Sequence, residues 1–376
     1  MPNNSSLTNL QQALAAVTDP RRDHTKHHEL IDILMIAVCC LLCGGSGFAH
    51  MEQFGHAKRD WLRTFLALPN GIPSHDTFRR VFSLLAPQQF ATAFLAWTQS
   101  LRAAVSAEIV ALDGKTVRRS FDRAKGRSPL HLVSAWASAN QLVLGQLATA
   151  DKSNEITAVP HLLRALELAG CIVTVDALNC QKNIAKEISE ADADYVLTLK
   201  ANHGTAYQEV RDFLGDARQR NFAGVAHDFV ETVDKEHGRF EVRRYWITEQ
   251  IGWFADRPQW EKLRSVALVE SEREVNGERR VEQRVFLCSL GANAALLAQA
   301  VRGHWGIENQ LHWVLDVQLG EDDCRVRAGH AAENLALLRK IVLNLLRRDT
   351  QTKAGIRAKQ LKAAWDHAYL QSVLKP

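Results

Sequence analysis

Two short apolar runs in the chain each end in an aspartate, and this pairing constrains the fold more than any other feature. Residues 109–113 and 171–176 have the β-branched, apolar composition of buried strands and end at Asp113 and Asp176. A third acidic residue, Glu308, follows far downstream in a helical pattern. Carboxylates from adjacent buried strands and a packed helix can hold two Mg²⁺ ions against a phosphate. The pattern therefore predicts an enzyme that acts on phosphodiesters.

The order of elements around these aspartates predicts the fold class. Strands are expected near 108–113, 131–138, 141–149, 171–176 and 194–199, and helices near 155–169 and 181–191. A three-stranded meander followed by βα units is the order of a ribonuclease H-like fold, an α/β class with a mixed sheet. Its first and fourth strands are neighbours, so Asp113 and Asp176 are expected side by side although they are 63 positions apart.

The segments around this core differ in pattern. Residues 1–105 predict helices broken by turns, and a helix through 77–82, capped by Ser74 or Asp76, carries Arg79 and Arg80. This helix is either a DNA-recognition helix or an ordinary exposed helix. Residues 201–295 alternate like antiparallel strands, with Asn276-Gly277 as a hairpin turn, and predict a β-rich insertion. Residues 296–350 complete the core with the Glu308 helix, and 351–376 form a helical tail.

Composition excludes several classes of protein. The 376 residues are 46% hydrophobic and 23% charged, which is typical of a globular protein and not of a disordered one. The seven irregularly spaced cysteines favour a reducing cytoplasm over a disulfide framework, and Cys40 and Cys43 are expected in the core. The apolar run 30–43 is too short to span a membrane, and residues 1–6 lack the pattern of a signal peptide.

Basic residues lie close in sequence to the proposed carboxylates, although the net charge is only +4. Such clusters are often plain solvated faces, but their placement beside the carboxylates favours contact with phosphate. The two clusters are Lys115, Arg118, Arg119, Arg123, Lys125 and Arg127, and Arg325, Arg327, Arg339, Lys340, Arg347 and Arg348.

Each acidic candidate also has a plain structural explanation. Asp113-Gly114 is a common turn, and Asp176 is placed to cap a loop. On a helix, His304, Glu308 and His312 share a face, which raises zinc as an alternative, but the spacing is not that of a HExxH motif and carboxylates suit Mg²⁺ or Mn²⁺ better.

Other residues near Glu308 leave alternatives open. An acidic group downstream either competes with Glu308, through Glu321 and Asp322 above all, or pairs with Arg325 and Arg327. Trp305 and Trp313 are either core anchors or platforms for an unpaired base. The acidic group is Asp316, Glu321, Asp322 and Asp323.

Several segments together resemble one family. Residues 111–116, 152–157, 173–177, 193–197 and 304–313, with 72–78 in the N-terminal region, are similar to the H-repeat-associated insertion-sequence transposases of the DDE transposase superfamily. The resemblance runs from about residue 19 to the C-terminus. This chain departs from the family pattern at one point. Related transposases place a Tyr, an Arg and a Lys around the glutamate, whereas this chain has Val301, His304 and Leu315 at those positions. Arg302 and His304 are the candidate substitutes.

The resemblance implies a ribonuclease H-like core with Asp113, Asp176 and Glu308 as catalytic residues and as ligands of two Mg²⁺ or Mn²⁺ ions. It implies metal-dependent cleavage at the inverted-repeat ends of a bacterial mobile element, followed by 3′-OH strand transfer into target DNA. The expected partners are double-stranded DNA and a second copy in a homodimeric synaptic complex, in the cytoplasm at the nucleoid and not at a membrane. The alternative is an inactive, domesticated DNA-binding protein with the same fold. The predicted DNA contacts are Lys115, Arg118, Arg119, Lys152, Asn154, Arg302, His304, Trp305, His312, Arg325 and Arg327.

Overall fold

The computed structural model describes residues 5–121, 126, 128–149, 154–236, 239–275 and 278–374. Lys152, the basic residues Arg123, Lys125 and Arg127, and the Asn276-Gly277 turn lie outside the described residues. The chain begins with helices, as predicted. They are α1 (Ser5–Ala15), α2 (Leu30–Leu42), α3 (Phe48–Ala57), α4 (Arg59–Leu62), α5 (His75–Leu84) and α6 (Pro87–Leu101).

The sheet follows in the described part of the chain as nine strands in the order β3-β2-β1-β4-β5-β9-β8-β7-β6. The first strands are β1 (Ile109–Thr116), β2 (His131–Ala137), β3 (Leu142–Thr149), β4 (Ile172–Val175) and β5 (Asp194–Leu199), with α7 (Glu155–Ala165) and α8 (Lys182–Glu190) between them. After α9 (Gly204–Gln219) come β6 (Asp228–Glu236), β7 (Arg239–Thr248), β8 (Ser265–Val275) and β9 (Glu278–Cys288).

Strand pairing confirms the ribonuclease H-like core. The strands β1, β2 and β3 form an antiparallel meander, and β4 lies parallel to both β1 and β5. The predicted adjacency of the first and fourth strands is therefore present, with Leu112 paired to Val175. One strand end was wrong, because β1 continues three residues beyond Asp113 and the Asp113-Gly114 pair lies inside the strand.

The β-rich insertion continues the core sheet. Its last strand, β9, pairs antiparallel with β5, and β8, β7 and β6 follow outward. The sequence pattern missed the 16-residue helix α9, which places Ala206, Val210 and Leu214 on the same buried core as Leu199 and Leu268. Its apolar residues recur at helical spacing, but polar residues separate them and hide the stripe.

The last part of the chain is helical. It contains α10 (Ala294–Gly306), two π-helical segments, π1 (Ile307–His312) and π2 (Val314–Gln318), and then α11 (Ala331–Arg348), α12 (Ile356–Trp365) and α13 (His367–Val373). A single tail helix was expected where α12 and α13 stand. Asp366 separates them, because its side chain accepts hydrogen bonds from the backbone N–H groups of Ala368 and Tyr369 and so begins a new helix.

Helices cover both faces of the sheet. Helices α7, α8 and α9 share one core with β4 and β5, while α10 covers the opposite face through Leu297 and Val301 against Ile172 and Val196. The helix α11 joins the N-terminal helices to the sheet within the first of these cores.

Two predictions about the N-terminal helices are confirmed. The Ser74 side chain accepts a hydrogen bond from the Thr77 N–H at 3.3 Å and caps α5. The apolar run at 30–43 is the buried helix α2, and its cysteines are free thiols. Within the described residues, we find no helix with the length and apolar character that a membrane span requires.

Candidate active site

Asp113 lies on β1 and Asp176 directly follows β4, and these two interior strands run in parallel. Leu112 pairs with Val175, so the next residue of each strand, in both cases an aspartate, falls at the same level. Both aspartates line a cavity of about 230 Å³, and Glu308 lines it as well. The structure therefore brings the three predicted carboxylates around one cavity.

The position of Glu308 depends on the close approach of α10 to β1. Gly303 lies against Ile109, and a Cβ added there would stand only 2.8 Å from Ile109 Cγ2. The helix then widens into π1, where the Trp313 N–H donates to the Glu308 carbonyl five residues back. Such π-helical turns are uncommon and concentrate at functional sites. Glu308 is exposed at the rim of the cavity, whereas both aspartates are partly buried.

Burial and the neighbouring carboxylates disfavour the charged form of Asp113. Burial raises the pKa of Asp113 to about 7, and the neighbouring Asp176 adds to the effect. The Asp176 Oδ1 atom accepts hydrogen bonds from the Asn179 N–H at 3.0 Å and from Asn179 Nδ2 at 3.1 Å. No described residue donates to its Oδ2 atom. A divalent cation would relieve this repulsion.

The donor set fits Mg²⁺ or Mn²⁺. Three carboxylates supply only hard oxygen atoms, which these cations prefer. Over the ranges that the structure describes, no three His, Cys, Asp or Glu side chains are already gathered closely enough to hold a metal ion. The carboxylates line the cavity together but stand further apart than the ligands of a closed metal site.

Two histidines flank the carboxylates as neutral side chains. The His304 Nδ1 atom lies 3.0 Å from Thr174 Oγ1, and burial lowers the pKa of His304 to about 4. The His312 Nδ1 atom lies 3.4 Å from Asp113 Oδ2, and burial lowers the pKa of His312 to about 3. His304 lines the cavity, while His312 is buried behind Asp113. A DNA contact by His312 is therefore corrected to a packing role beside Asp113.

The acidic group after Glu308 pairs with the basic residues that follow Asp113, and this corrects two expectations. Lys115 is largely buried and pairs with Asp316 and, at 2.5 Å, with Glu321, so it is not a phosphate contact. Glu321 is fully buried and is not among the residues that line the cavity, so it does not compete with Glu308. On the surface nearby, Arg118 pairs with Asp322 at 3.4 Å and Arg119 with Asp323 at 2.9 Å.

Four further residues were predicted to contact DNA, and the structure places each in a different environment. Arg302 pairs with Asp234 on β6 and is not among the residues that line the cavity, and its role as a substitute for the missing cation stays a prediction. Arg327 lies over the Phe121 ring at 5.0 Å, and Arg325 is exposed. Asn154 directly precedes α7.

Four other positions were also placed by the structure. Trp305 lines the cavity, whereas Trp313 is 51% exposed outside it. From the C-terminal basic cluster, Arg339 and Lys340 are buried in α11 and do not form part of a surface patch.

Sequence reasoning missed two cations that line the cavity, Lys200 and Arg284. Lys200 directly follows β5, and the neighbouring parallel strand β4 ends next to Asp176. Strand order alone was therefore enough to place Lys200 at the same end of these strands as Asp176. Arg284 comes from β9, and its guanidinium lies 4.8 Å from the Trp305 ring centre. It was not identifiable before the β5–β9 pairing was known.

Comparison with known proteins gives the family. Residues 11–98 match the "DDE_Tnp_1-associated" family model, and residues 105–345 match the "Transposase DDE domain" model. The chain is 36% identical over 373 residues to the "H repeat-associated putative transposase YhhI" of Escherichia coli (strain K12), covering 98% of both chains. It is also 36% identical to the "Putative transposase YncI" of Escherichia coli O157:H7, covering 98% of this chain and 95% of that relative.

Two further similarities complete the comparison. An "Uncharacterized protein in dhlA 3'region" of Xanthobacter autotrophicus is 44% identical over 287 residues, covering 75% of this chain and 95% of that protein. A solved piggyBac transposase synaptic complex with hairpin DNA aligns with a TM-score of 0.44 at 10% identity, over 99% of this chain and 79% of that chain. From the family models and the near full-length relatives, we conclude that the chain belongs to the DDE transposase family, within the group of H-repeat-associated transposases.

Proposed function

We propose that this transposase cuts DNA at the ends of its own mobile element and joins the freed 3′ ends to target DNA, with Asp113, Asp176 and Glu308 as the catalytic carboxylates. The observation that supports this most is their convergence on one cavity that also carries Lys200 and Arg284. A site for phosphodiester chemistry needs both features, because carboxylates hold the metal ions and cations hold the phosphate.

The three carboxylates would hold two Mg²⁺ or Mn²⁺ ions. When bound there, such ions supply charge neutralisation at the attacking and leaving oxygens of the phosphate. Asp113 and Asp176, on adjacent strands of the rigid sheet, fix one side of this arrangement. Glu308, on the π-helical segment that follows α10, would close it from the other side.

Other side chains of the cavity position the DNA strand. Lys200 and Arg284 would bind non-bridging phosphate oxygens, and Arg284 is held in place by Trp305 beneath it and by a 2.8 Å hydrogen bond to Glu282 Oε1. His304 stays neutral near pH 7 and is held by Thr174, so it adds a wall and a hydrogen-bonding group without a charge.

The two proposed reactions use the same bond changes. In the first, water attacks phosphorus, the bond from phosphorus to the 3′ oxygen breaks, and a free 3′-OH and a 5′-phosphate result. In the second, that 3′-OH attacks a phosphodiester of the target, and the target's own 3′ oxygen leaves. Neither reaction requires a covalent bond to the protein or an external energy source, because one phosphodiester replaces another in the joining step.

The proposed partner is double-stranded DNA, both as element end and as target. Because two ends must be processed together, we expect two copies of the chain to meet in the synaptic complex. The names of the relatives as transposases support the DNA substrate. If cleavage requires two element ends in one complex, the activity is that of a transposase and not that of a nuclease that cuts without joining.

The test is cleavage and joining of a labelled DNA duplex that carries the element's own ends, with Mg²⁺, with Mn²⁺ and with chelator. Asp113→Asn, Asp176→Asn and Glu308→Gln each keep the size of the side chain but remove one carboxylate charge. We expect each to lower the cleavage rate by at least about a thousandfold, an effect of about 4 kcal/mol on the barrier, while end binding in Ca²⁺ stays near wild type.

The matched control is Glu190→Gln, an exposed carboxylate on α8 outside the cavity, which should cut normally. Wild-type cleavage by any one of the three site variants would remove that residue from the catalytic set. End binding by the wild type without cleavage in either metal would favour the inactive DNA-binding alternative.

A further inference from the structure

A fourth carboxylate, Glu155, lies beneath the catalytic cavity and has no role in the reaction as proposed. It is the first residue of α7 and is 1% exposed. A buried carboxylate is costly unless its oxygens are hydrogen-bonded. Both oxygens of Glu155 are bonded, and the groups that bond them lead to the catalytic site.

One oxygen of Glu155 is linked to Asp176 through a single side chain. The Asn179 Nδ2 group donates to Glu155 Oε2 at 2.9 Å and to Asp176 Oδ1 at 3.1 Å. The Asn179 Oδ1 atom is buried and has no partner among the described residues. The orientation of this amide therefore follows from the two carboxylates that it connects.

The other oxygen of Glu155 is anchored to the sheet. Glu155 Oε1 lies 2.6 Å from His131 Nε2, and His131 Nδ1 lies 2.8 Å from Thr116 Oγ1. The residues His131 and Thr116 are paired across β2 and β1. A charged carboxylate assigns the proton to His131 Nε2, which leaves Nδ1 to accept from the Thr116 hydroxyl.

Glu155 also approaches the backbone next to Asp113 at a distance that only glycine permits. A Cβ at Gly114 would stand 2.3 Å from Glu155 Oε1. The carboxylate therefore fills the space that a side chain at position 114 would occupy. Both catalytic aspartates thus have Glu155 in their immediate support, one through Asn179 and the other through the adjacent glycine.

We propose that Glu155 is a positioning residue that acts through Asn179 to hold the Asp176 carboxylate with Oδ1 engaged and Oδ2 available to a metal ion. This inference rests on the proposed function, because it assumes that Asp176 is a metal ligand. Groups that orient a ligand from behind in this way commonly change metal affinity by 10–100-fold when removed.

The substitution Glu155→Gln separates two explanations of how Glu155 acts, through its hydrogen bonds or through its negative charge. In Glu155→Gln, the amide oxygen can accept from Asn179 while the NH₂ group donates to His131 Nε2. The histidine proton then moves to Nδ1 and is donated to Thr116. Both links survive without the charge. Glu155→Ala removes both links, and Asn179→Ala removes only the link to Asp176.

The experiment measures binding of Mn²⁺ alone to the full-length protein by calorimetry or electron paramagnetic resonance, and then the Mn²⁺ dependence of cleavage. We expect Glu155→Ala and Asn179→Ala to weaken Mn²⁺ binding by 10–100-fold and to recover much of their cleavage rate in excess Mn²⁺. Glu155→Gln should stay within about threefold of the wild type.

The matched control is Asn344→Ala. Asn344 is a fully buried asparagine on α11 that bridges the backbone N–H and C=O of Val143, each at 2.9 Å, outside the cavity. It should lower thermal stability and leave Mn²⁺ affinity unchanged. If Glu155→Ala does not fold, Asn179→Ala tests the same link, because it keeps Glu155 and its bond to His131.

Three results would overturn the proposal. Wild-type Mn²⁺ affinity in folded Glu155→Ala or Asn179→Ala would show that the connection does not position Asp176. A loss in Glu155→Gln as large as in Glu155→Ala would assign the effect to charge. A wild-type protein that neither binds Mn²⁺ nor cuts DNA would overturn the proposed function together with this inference.

Discussion

The basic residues of this protein differ in their ion pairs, and this difference sets how much each would gain from the proposed contact with a DNA phosphate. Lys115 is held by two carboxylates, and Arg302 by one. Lys200 makes no ion pair with any described residue, is exposed and stands at the cavity. A cation that is already paired gains less from a phosphate than an unpaired one, which releases counterions from the DNA when it binds. Arg284 pairs with Glu282 at 2.8 Å, so Lys200 is the stronger of the two proposed phosphate contacts.

We therefore predict that Lys200→Ala weakens binding of element-end DNA and lowers the slope of log affinity against log salt by about one unit, because one phosphate contact is lost. The measurement is a binding titration in Ca²⁺ at several salt concentrations. Lys186→Ala is the matched control, because Lys186 is an exposed lysine on α8 that pairs with Glu190. An unchanged slope in Lys200→Ala would exclude Lys200 from phosphate contact.

The sequence predicted those site residues that a local pattern identifies, and it failed for those whose surroundings depend on distant parts of the chain. Asp113 and Asp176 could be predicted from the sequence, because each follows an apolar run typical of a buried strand. Once the strand order is inferred, the two strands are neighbours and their aspartates are expected side by side. Lys115 was misassigned because its partners, Asp316 and Glu321, are about 200 positions away and no local pattern records them. Arg284 depended on the pairing of β9 with β5, which the sequence pattern did not contain.

At the scale of elements, a buried charge cluster ties the segment after Glu308 to the strand that carries Asp113. Lys115 on β1 pairs with Asp316 on π2 and with Glu321 just beyond it, and Lys340 on α11 adds a second buried cation. Burial raises the pKa of Glu321, but Lys340 and Lys115 outweigh this effect and lower the pKa to about 2. The cluster thus fixes β1, π2 and α11 relative to one another.

This lowered pKa predicts a pH-dependent contribution to stability. In the unfolded chain Glu321 has an ordinary pKa of 4.5, so its contribution is fully present above that pH and is lost as the pH falls toward 2. The contribution at neutral pH is roughly 3 kcal/mol. We expect Glu321→Gln to lower the free energy of unfolding by about that amount at pH 7, and by clearly less at pH 3.5.

Urea denaturation of both proteins at the two pH values measures this difference. The control is Glu333→Gln, because Glu333 also lies on α11 but makes no ion pair with the described residues, and burial raises its pKa. A destabilisation by Glu321→Gln that is equal at pH 7 and pH 3.5 would show that the carboxylate charge does not stabilise the cluster.

The elements themselves were predictable to different degrees, for physical reasons. Strands β1 to β5 were found because buried strands of a mixed sheet are continuous apolar runs. The helix α9 was missed because its buried stripe is narrow, and π1 was missed because a π-helical turn shares the composition of an α-helix. Neither feature changes residue types enough for a pattern to detect it.

At the scale of the whole molecule, the N-terminal helices and the catalytic core are joined by α11. Asn334 on α11 is buried, and its Nδ2 group donates to the carbonyls of Phe82 and Leu85 at 2.9 Å each. The His330 N–H donates to the Ser83 carbonyl at 3.0 Å. Because the same helix also contacts β3, the family-associated segment and the DDE segment share one hydrophobic core.

We predict from this shared core that the full chain unfolds in one calorimetric transition and that residues 106–376 alone do not unfold cooperatively. In the full chain, Asn334→Ala should cost about 2–3 kcal/mol, because it leaves two buried carbonyls unpaired. Scanning calorimetry and urea denaturation measure both effects. Two separate transitions in the wild type, or a fragment 106–376 as stable as the full chain, would show that the two segments fold independently.

The π-helical segment that carries Glu308 also has a consequence for how this gene can vary. A π-helical turn accommodates one residue more than a regular α-helical turn, so the loss of a single codon between 307 and 312 would restore an ordinary helix. Each residue of an α-helix advances by about 100°, and everything on one side of the deletion would rotate by that angle relative to the other. Copies of the element with such an in-frame deletion would keep a full reading frame and a helical fold, but the segment after the deletion would be turned relative to α10. On the proposed function, a one-codon gap at this place among related copies in a genome would mark a copy that no longer moves.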